Sequence, residues 1–163
     1  MRLRIAAAAL TIGLCTAGVA AADDIPPDFQ NRPTIADCYN AMPTMGGAGL
    51  IVGGPGDDVI VGSNGPDDIW GMGGNDVILG LDGDDVIHGG DGNDLICAGR
   101  GDDLVQGGPD DDTVHGEPGD DKMRGGDGRD LLSGNAHVHQ DEGDGEAGVD
   151  VCTASTEIPV SCL

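Results

Sequence analysis

The sequence predicts an all-β solenoid, in which short strands stack on one another and are joined by tight turns. From Gly53 to Ser133 the 163-residue chain divides into nine consecutive nonapeptides without an insertion or a deletion. The chain lacks the large side chains of an ordinary globular core, with one Trp, one Tyr and one Phe beside 31 Gly. Several units end in triplets such as VIV and VIL, whose β-branched residues favour strands. Units this short must stack, because none of them can bury an apolar face alone.

The charge of the chain indicates that its partners are cations. There are 30 Asp and Glu against 7 Lys and Arg, which gives a net charge of −23. A chain so acidic and so poor in aromatic residues stays disordered unless something neutralises it. Nucleic acid and anionic membrane surfaces are excluded as partners because they are negative themselves.

The first 22 residues have the pattern of a cleaved secretory signal peptide. A basic start that includes Arg2 is followed by an apolar run, residues 5–19, and by three alanines before Asp23. The run is too short for a spanning helix, so no membrane insertion is expected. A lipidated Cys15 is the alternative, but the leucine before it is larger than a lipidation motif prefers. Cleavage after residue 22 removes two arginines and no acids, which changes the net charge from −23 to −25.

Four positions of the nonapeptide are almost fixed. The first is glycine in eight of nine units, with Ala98 as the exception, and the fourth is glycine in eight, with Asp110 as the exception. The eighth is always apolar, from Ile60 in the first unit to Leu132 in the last. A disordered acidic segment, the alternative interpretation, needs no such register. The sixth position is aspartate in all nine units: Asp58, Asp67, Asp76, Asp85, Asp94, Asp103, Asp112, Asp121 and Asp130.

Each unit is predicted to consist of a turn followed by a strand. A run such as GGPGDD, residues 53–58, favours positive φ and close backbone approach, and therefore a tight turn. The next three residues, Val59–Val61, form a strand whose alternate side chains point to opposite sides. Stacking then aligns the eighth-position side chains into one apolar ladder. The predicted turn glycines are Gly53, Gly56, Gly62, Gly65, Gly71, Gly74, Gly80, Gly83, Gly89, Gly92 and Gly101.

The repeats resemble the hemolysin-type calcium-binding repeats, also called repeats-in-toxin or RTX repeats. GGPGDDVIV, GGDGNDLIC and GGDGRDLLS each fit the pattern G-G-x-G-x-D-x-U-x, where U is a large apolar residue. The resemblance implies a right-handed parallel β-roll, in which two nonapeptides make one coil and each turn lies above the turn two units earlier. It also implies calcium ions between stacked turns, bound by the sixth-position aspartates and by backbone carbonyls of the turns.

Carried onto this chain, the resemblance implies aspartate pairs 18 residues apart, from Asp58 with Asp76 to Asp112 with Asp130. Nine units with an offset of two leave seven full sites. Calcium takes about six to eight oxygen ligands in flexible geometry, whereas magnesium demands a tighter octahedron and should substitute poorly. Without a cation the aspartate columns repel one another, so binding and folding are expected to be one event. The terminal sites are expected to be the weakest.

The segments on either side of the repeats are predicted to cap the roll. The N-terminal flank, residues 23–52, is irregular and ends in a decayed repeat with Ile51 in the apolar column. The C-terminal part, residues 134–163, contains an eleven-residue insertion and then a degenerate tenth unit at 145–153, whose apolar position is Cys152. A solenoid needs such ends, because its last coils would otherwise expose the core and the strand edges.

The mature chain is expected to contain four cysteines, an even number that suggests disulfides in a secreted protein. Three connectivities are possible. Cys152 and Cys162 lie ten residues apart and are expected to pair as a C-terminal staple. Cys38 would then pair with Cys97 and tie the N-terminal flank to the side of the roll. Free thiols are the alternative.

The histidines and the tryptophan suggest weaker hypotheses. His137 and His139 alternate in HVH and could ligate zinc or copper, although a polar surface loop is the commoner interpretation. His88 and His115 occupy ninth positions three units apart, so they are expected on opposite faces. Trp70, also in a ninth position, is expected outside the roll above the row of His88.

The sequence contains no G-x-S-x-G, no H-E-x-x-H and no phosphate loop with Lys-Ser/Thr. We therefore predict a secreted, extracellular calcium-binding protein that is not an enzyme and that has a structural or binding role. Its protein or polysaccharide partner is not identified by the sequence. The alternative is a small hydrolase or toxin accessory with its active residues in the flanks.

Two family-like activities are not expected. Large RTX toxins and proteases carry a catalytic or pore-forming region ahead of the repeats, whereas this sequence resembles the repeat module alone. An ice- or polysaccharide-binding adhesin needs a flat outward array of Thr or aromatic residues, and the outward columns here are mixed.

Overall fold

The computed structural model describes residues 35–134, 142–148 and 151–153. In these ranges the chain forms one short helix and thirteen strands. The elements are α1 (Ile35–Asn40), β1 (Met45–Gly46), β2 (Leu50–Val52), β3 (Val59–Val61), β4 (Asp68–Gly73), β5 (Val77–Asp82), β6 (Val86–Asp91), β7 (Leu95–Arg100), β8 (Leu104–Pro109), β9 (Thr113–Glu117), β10 (Lys122–Gly128), β11 (Leu131–Gly134), β12 (Glu142–Gly148) and β13 (Val151–Thr153). The expected signal peptide and the HVH segment lie outside the described residues.

The strands alternate between two parallel sheets. The odd sheet has the order β1-β3-β5-β7-β9-β11-β13, and the even sheet has the order β12-β10-β8-β6-β4-β2. Each strand pairs with the strand two elements later in a register of 18 residues, as in Ile60 opposite Ile78 and Ile69 opposite Ile87. Two nonapeptides therefore make one coil, and the chain winds through about 5 turns. The predicted all-β parallel solenoid is confirmed.

The core is a single file of eighth-position side chains between the two sheets. The five isoleucines from Ile60 to Ile96 are 0 % exposed. Each buried isoleucine contributes roughly 1.5–3 kcal/mol. One residue per half-coil is enough because the sheets are close together, which explains how the chain manages almost without aromatic residues. The file contains Ile51, Ile60, Ile69, Ile78, Ile87, Ile96, Ala98, Val105, Val114, Met123 and Leu132.

The strands are longer than the sequence predicts. Three residues per strand are expected, yet β5 has six, Val77–Asp82. The first residues of the next unit continue the pairing, since the N–H of Gly62 donates to the carbonyl of Leu79 at 2.8 Å. The bend of the coil falls inside the strand, where Leu81 has φ 90°. Glycine-rich residues that predict a turn therefore also serve as ladder residues.

Both ends of the roll contain additional repeat-like strands. Upstream, β2 pairs with β4, and Ile51 lies in the core. Downstream, β13 pairs with β11, with Cys152 opposite Leu132. The predicted insertion does not lie outside the roll throughout, because its last three residues begin β12, in which Glu142 is opposite Lys122. The inward position of this strand is occupied by a buried glycine, so the sequence gives no apolar signal there.

The N-terminal flank covers part of the outer face of the odd sheet. The helix α1 packs against β5 and β7. The predicted disulfide between Cys38 and Cys97 is confirmed. These cysteines form a second buried cluster with Leu79 and Leu95, outside the central file. The predicted pairing of Cys152 is not tested, because its partner lies outside the described residues.

No helix among the described residues is long and apolar enough to cross a membrane.

Candidate calcium sites

The nine sixth-position aspartates form two columns, one along each edge of the roll. Eight of them are buried, and Asp58, in the first unit, is partly exposed. Burial of so many carboxylates is costly unless each oxygen has a partner. The first column, at turns from the even to the odd sheet, contains Asp58, Asp76, Asp94, Asp112 and Asp130, and the second contains Asp67, Asp85, Asp103 and Asp121.

One oxygen of each inner carboxylate connects neighbouring coils. The backbone N–H of Asp58 donates to Oδ1 of Asp76, and that of Asp76 donates to Oδ1 of Asp94, both at 2.8 Å. The second column repeats the pattern, with the N–H of Asp85 donating to Oδ1 of Asp103 at 2.8 Å. The Oδ1 atoms therefore set the 18-residue register without any metal.

The ladder ends on neutral groups at the N-terminal side. The hydroxyl of Thr44 donates to Oδ1 of Asp58 at 3.2 Å. In the other column the N–H of Gly49 donates to Oδ1 of Asp67. Neither Thr44 nor Gly49 supplies a carboxylate, so the columns stop at Asp58 and Asp67.

The second oxygen of the inner carboxylates lacks a partner. Oδ2 of Asp76, Asp85, Asp94 and Asp103 is buried and accepts no hydrogen bond. In the first two units the turn supplies one, since the N–H of Gly54 donates to Oδ2 of Asp58 at 2.8 Å. An unsatisfied buried acceptor costs about 1–3 kcal/mol, and a charged one costs more. The inner turns are therefore incomplete as they stand.

A backbone carbonyl lies beside each of these second oxygens. A side chain at Gly71 would collide both with the carbonyl oxygen of Gly89 in the next coil and with Oδ2 of Asp76. A side chain at Gly80 would meet the carbonyl of Ala98 and Oδ2 of Asp85 in the same way. First-position glycine is thus needed because two oxygens from adjacent coils converge there.

The fourth position requires a left-handed backbone in most turns. Gly74 and Gly92 have φ 111° and 118°, and Asp110, which stands where the pattern has glycine, has φ 81°. Aspartate is among the few other residues that enter this region readily. The exception at Asp110 therefore keeps the shape of the turn.

Burial raises the pKa of the inner aspartates. The pKa of Asp94 and of Asp103 rises to about 7, chiefly because burial disfavours the charged form, against the lowering effect of the backbone hydrogen bond. The neighbouring carboxylates Asp76 and Asp85 raise these values further, and their own pKa values are raised by burial as well. The columns therefore favour either a proton or a positive ion.

Comparison with known families agrees with this geometry. The model of the RTX calcium-binding nonapeptide repeat matches the chain in four copies, at residues 45–78, 52–85, 70–105 and 106–136. The chain belongs to the RTX calcium-binding repeat family. The matches run from residue 45 to residue 136, which is more than half of the 163 residues. No curated protein and no solved structure matches the chain significantly.

The donor atoms of the RTX turns fit calcium. In the described part of the chain, no group of three or more His, Cys, Asp or Glu side chains is placed to hold a metal. A cation between the coils must therefore take backbone carbonyls as well as the aspartates. Such a donor set is all oxygen, which suits calcium and not zinc, whose usual ligands are nitrogen and sulfur.

Fifth-position side chains form a further ladder, which the sequence analysis missed. The N–H of Asn93 donates to Oδ1 of Asn75 at 2.9 Å, and the N–H of Asp111 donates to Oδ1 of Asn93 at 2.9 Å. On the other edge the N–H of Asp120 donates to Oδ1 of Asp102 at 3.0 Å. These bonds run opposite to the sixth-position ladder. The signal was present, because the fifth position is Asp or Asn in seven of nine units.

Proposed function

We propose that this RTX protein is secreted, that it folds as it binds extracellular calcium, and that it has a structural or binding role. The observation that carries the proposal is the set of buried Oδ2 atoms without a partner, at Asp76, Asp85, Asp94 and Asp103. A divalent cation would supply the missing partner and cancel the repulsion between stacked carboxylates.

The proposed ligands are the sixth-position aspartates together with carbonyls of the turns. Five aspartates in the column of Asp58 make four pairs, and four aspartates in the column of Asp67 make three. This arrangement gives seven calcium ions in all. The pairs formed by Asp76, Asp85, Asp94 and Asp103 are expected to bind most tightly, because their second oxygens have no other partner.

Coupling of binding to folding follows from the thin core. A single file of side chains supplies limited apolar burial, and the buried carboxylates oppose it when they are charged. A ligand that binds only the folded chain stabilises it by mass action. Calcium binding free energy then becomes folding free energy, as in other metal-dependent small domains.

Two features support an extracellular location. Residues 1–22 have the pattern of a signal peptide. The bond between Cys38 and Cys97 fits an oxidising compartment, because cytosolic thiols are generally kept reduced.

Circular dichroism of the mature, disulfide-bonded chain during a calcium titration tests the proposal, with magnesium as the control ion. We expect a cooperative gain of β-signal with calcium and little change with magnesium at equal concentration. A spectrum that is already fully ordered in chelator would contradict coupled folding.

We also propose that the protein is not an enzyme. The RTX solenoid is a non-catalytic kind of fold. An assay of the purified, calcium-loaded chain against ester, peptide and glycoside substrates tests the alternative of a small hydrolase. Hydrolysis that copurifies with the folded chain would contradict the proposal.

A further inference from the structure

The outer face of the even sheet carries the exposed large apolar side chains of the roll. Leu50 and Val52 lie on β2, Trp70 and Met72 on β4, and Leu104 on β8, and all five are at least 40 % exposed. Within the described residues, α1 packs on the odd sheet and leaves this face uncovered. A contiguous apolar face on a secreted rod marks an interaction surface.

This face also carries charge of opposite sign at its two ends. On β4, Asp68 is fixed by a hydrogen bond of 2.6 Å from Nε1 of Trp70. The indole ring in turn stacks on His88 of β6, with ring centroids 4.0 Å apart. On β10, Lys122 and Arg124 are both exposed. An acid beside an aromatic ring thus lies three strands away from two bases.

The register makes these ends equivalent. Asp68 and Lys122 both occupy the seventh position of their units, and Trp70 and Arg124 both occupy the ninth. A two-fold axis parallel to the strands, between β6 and β8, brings β4 of one copy over β10 of another. Asp68 then faces Lys122 of the second copy, and Trp70 faces Arg124 of the second copy. These are an ion pair and a cation–π pair.

The centre of the face is complementary under the same axis. Val86 of β6 faces Leu104 of the second copy, and His88 faces Gln106. The first pair is apolar and the second can form a hydrogen bond. A face whose residues match each other in this reciprocal way has the property of an isologous dimer interface.

A groove on the face provides a place for the guanidinium group of the second copy. It has a volume of about 290 Å³ and is lined by Trp70, Met72, His88, Asp91 and Gln106 among others. An aromatic wall with a carboxylate opposite it favours a planar cation. Arg124 of the second copy is the cation that the axis places nearest.

We propose that two copies of this chain associate through the outer faces of their even sheets when calcium is bound. The proposal goes beyond calcium binding and requires only a folded roll. Calcium is needed because each copy carries a net charge of −23 before any ion binds, and this charge opposes association.

The area of the face sets the strength of the dimer. Six strands about 4.8 Å apart and roughly 20 Å long give about 500 Å² per copy, or about 1,000 Å² in total. This lies at the low end of specific interfaces. The outermost strands match less well, because the apolar residues of β2 meet the acidic residues of β12. We therefore expect a dimer that dissociates in the micromolar range.

Sedimentation velocity of the mature chain in calcium, from about 1 to about 200 μM, tests the proposal, since this range brackets a micromolar dissociation constant. The wild-type mass should double across this range. Asp68→Lys and Lys122→Asp should each raise the dissociation constant about tenfold or more, because each places like charges together. The double variant should recover the dimer. Asp82→Lys, an equal change of charge on the odd sheet, is the matched control and should dimerise as the wild type does.

Circular dichroism of every variant in calcium separates loss of the dimer from loss of the fold. If a charge reversal does not fold, Lys122→Gln replaces it, with the emission of Trp70, the single tryptophan, as a second readout of dilution. A folded wild type that stays monomeric to about 200 μM overturns the proposal and assigns the face to a different partner, such as a basic peptide. A dimer that withstands both reversals, or that the double variant does not restore, overturns it as well.

Discussion

The two sheets of the roll share one core but differ in what covers them outside. On the odd sheet, the seventh-position Leu95 is 4 % exposed, beside a disulfide that anchors α1. On the even sheet, Leu104, in the same position of the next unit, is 46 % exposed. The repeat is the same in both, so the difference comes from the N-terminal flank. The nonapeptide specifies the coil, and the flank decides which face remains available.

The largest effect should come from the part that the sheets share. Ile78→Ala and Ile87→Ala each remove a fully buried side chain, one from a strand of each sheet. Each should lower the free energy of unfolding in calcium by about 3–5 kcal/mol, because a single file leaves few neighbours to fill the cavity. Denaturant unfolding measures both. A difference of more than about 1.5 kcal/mol between them would show that the core is not shared equally.

Removal of the disulfide should affect the odd sheet selectively. The double change Cys38→Ser and Cys97→Ser opens a loop with a separation of 59 residues. We expect a loss of about 2–4 kcal/mol. Hydrogen exchange should show the loss of protection first in β5 and β7, which α1 contacts. Equal loss in β4 and β6 would contradict a local role for the flank.

A matched pair of leucines tests the comparison directly. Leu95→Ala should cost about 2–3 kcal/mol and Leu104→Ala less than about 1 kcal/mol, because only the first residue is buried. Thermal unfolding of monomeric protein at low concentration measures both changes. Similar costs would mean that the outer face of the even sheet is covered in solution.

The two edges of the roll, in contrast with its faces, should respond alike to pH. The pKa values of Asp94 and Asp103, one in each column, are raised to about 7. In the absence of calcium the folded state binds more protons than the unfolded state between about pH 4 and pH 7. Its stability should therefore be highest at the acidic end of this window and fall as the pH rises through about 7.

Calcium reverses the direction of this dependence. The ion requires the ionised carboxylates, so its affinity should drop by up to about tenfold per pH unit below pH 7 for each proton displaced. Calorimetry in two buffers of different ionisation enthalpy measures the protons released. No proton release near pH 7 would contradict buried, protonated aspartates in the calcium-free roll.

The parts of the fold that the sequence predicts are those that repetition records. The column of Ile60, Ile78 and Ile96 gives the core and the 18-residue register, because a side chain buried in one coil must be buried in the next. The disulfide followed from the even number of cysteines. Repetition averages out accidents of a single unit, so these predictions depend on no individual residue.

Features that the sequence leaves hidden depend on backbone conformation or on single exceptions. The first residues of each unit predict a turn, yet Leu81 bends within a strand because neighbouring coils hold its backbone. The strand β12 was missed because Gly143 replaces the apolar residue. The covering of the odd sheet was only indicated by Cys38, since a six-residue helix has no periodic pattern. The candidate ligands came from the repeat, but the missing partner of each Oδ2 atom is visible only in three dimensions.

The neutral ends of the two aspartate columns have a consequence for filament growth. A rod built from identical coils presents, at each end, the surface that its neighbouring coil would recognise, and head-to-tail contacts of this kind propagate without closing. Here the N-terminal end offers the hydroxyl of Thr44 and the N–H of Gly49 instead of a third carboxylate pair. Calcium has no anionic ligand there with which to bridge two rods. The protein can thus carry a polymerisable repeat in a calcium-rich medium and keep a defined length.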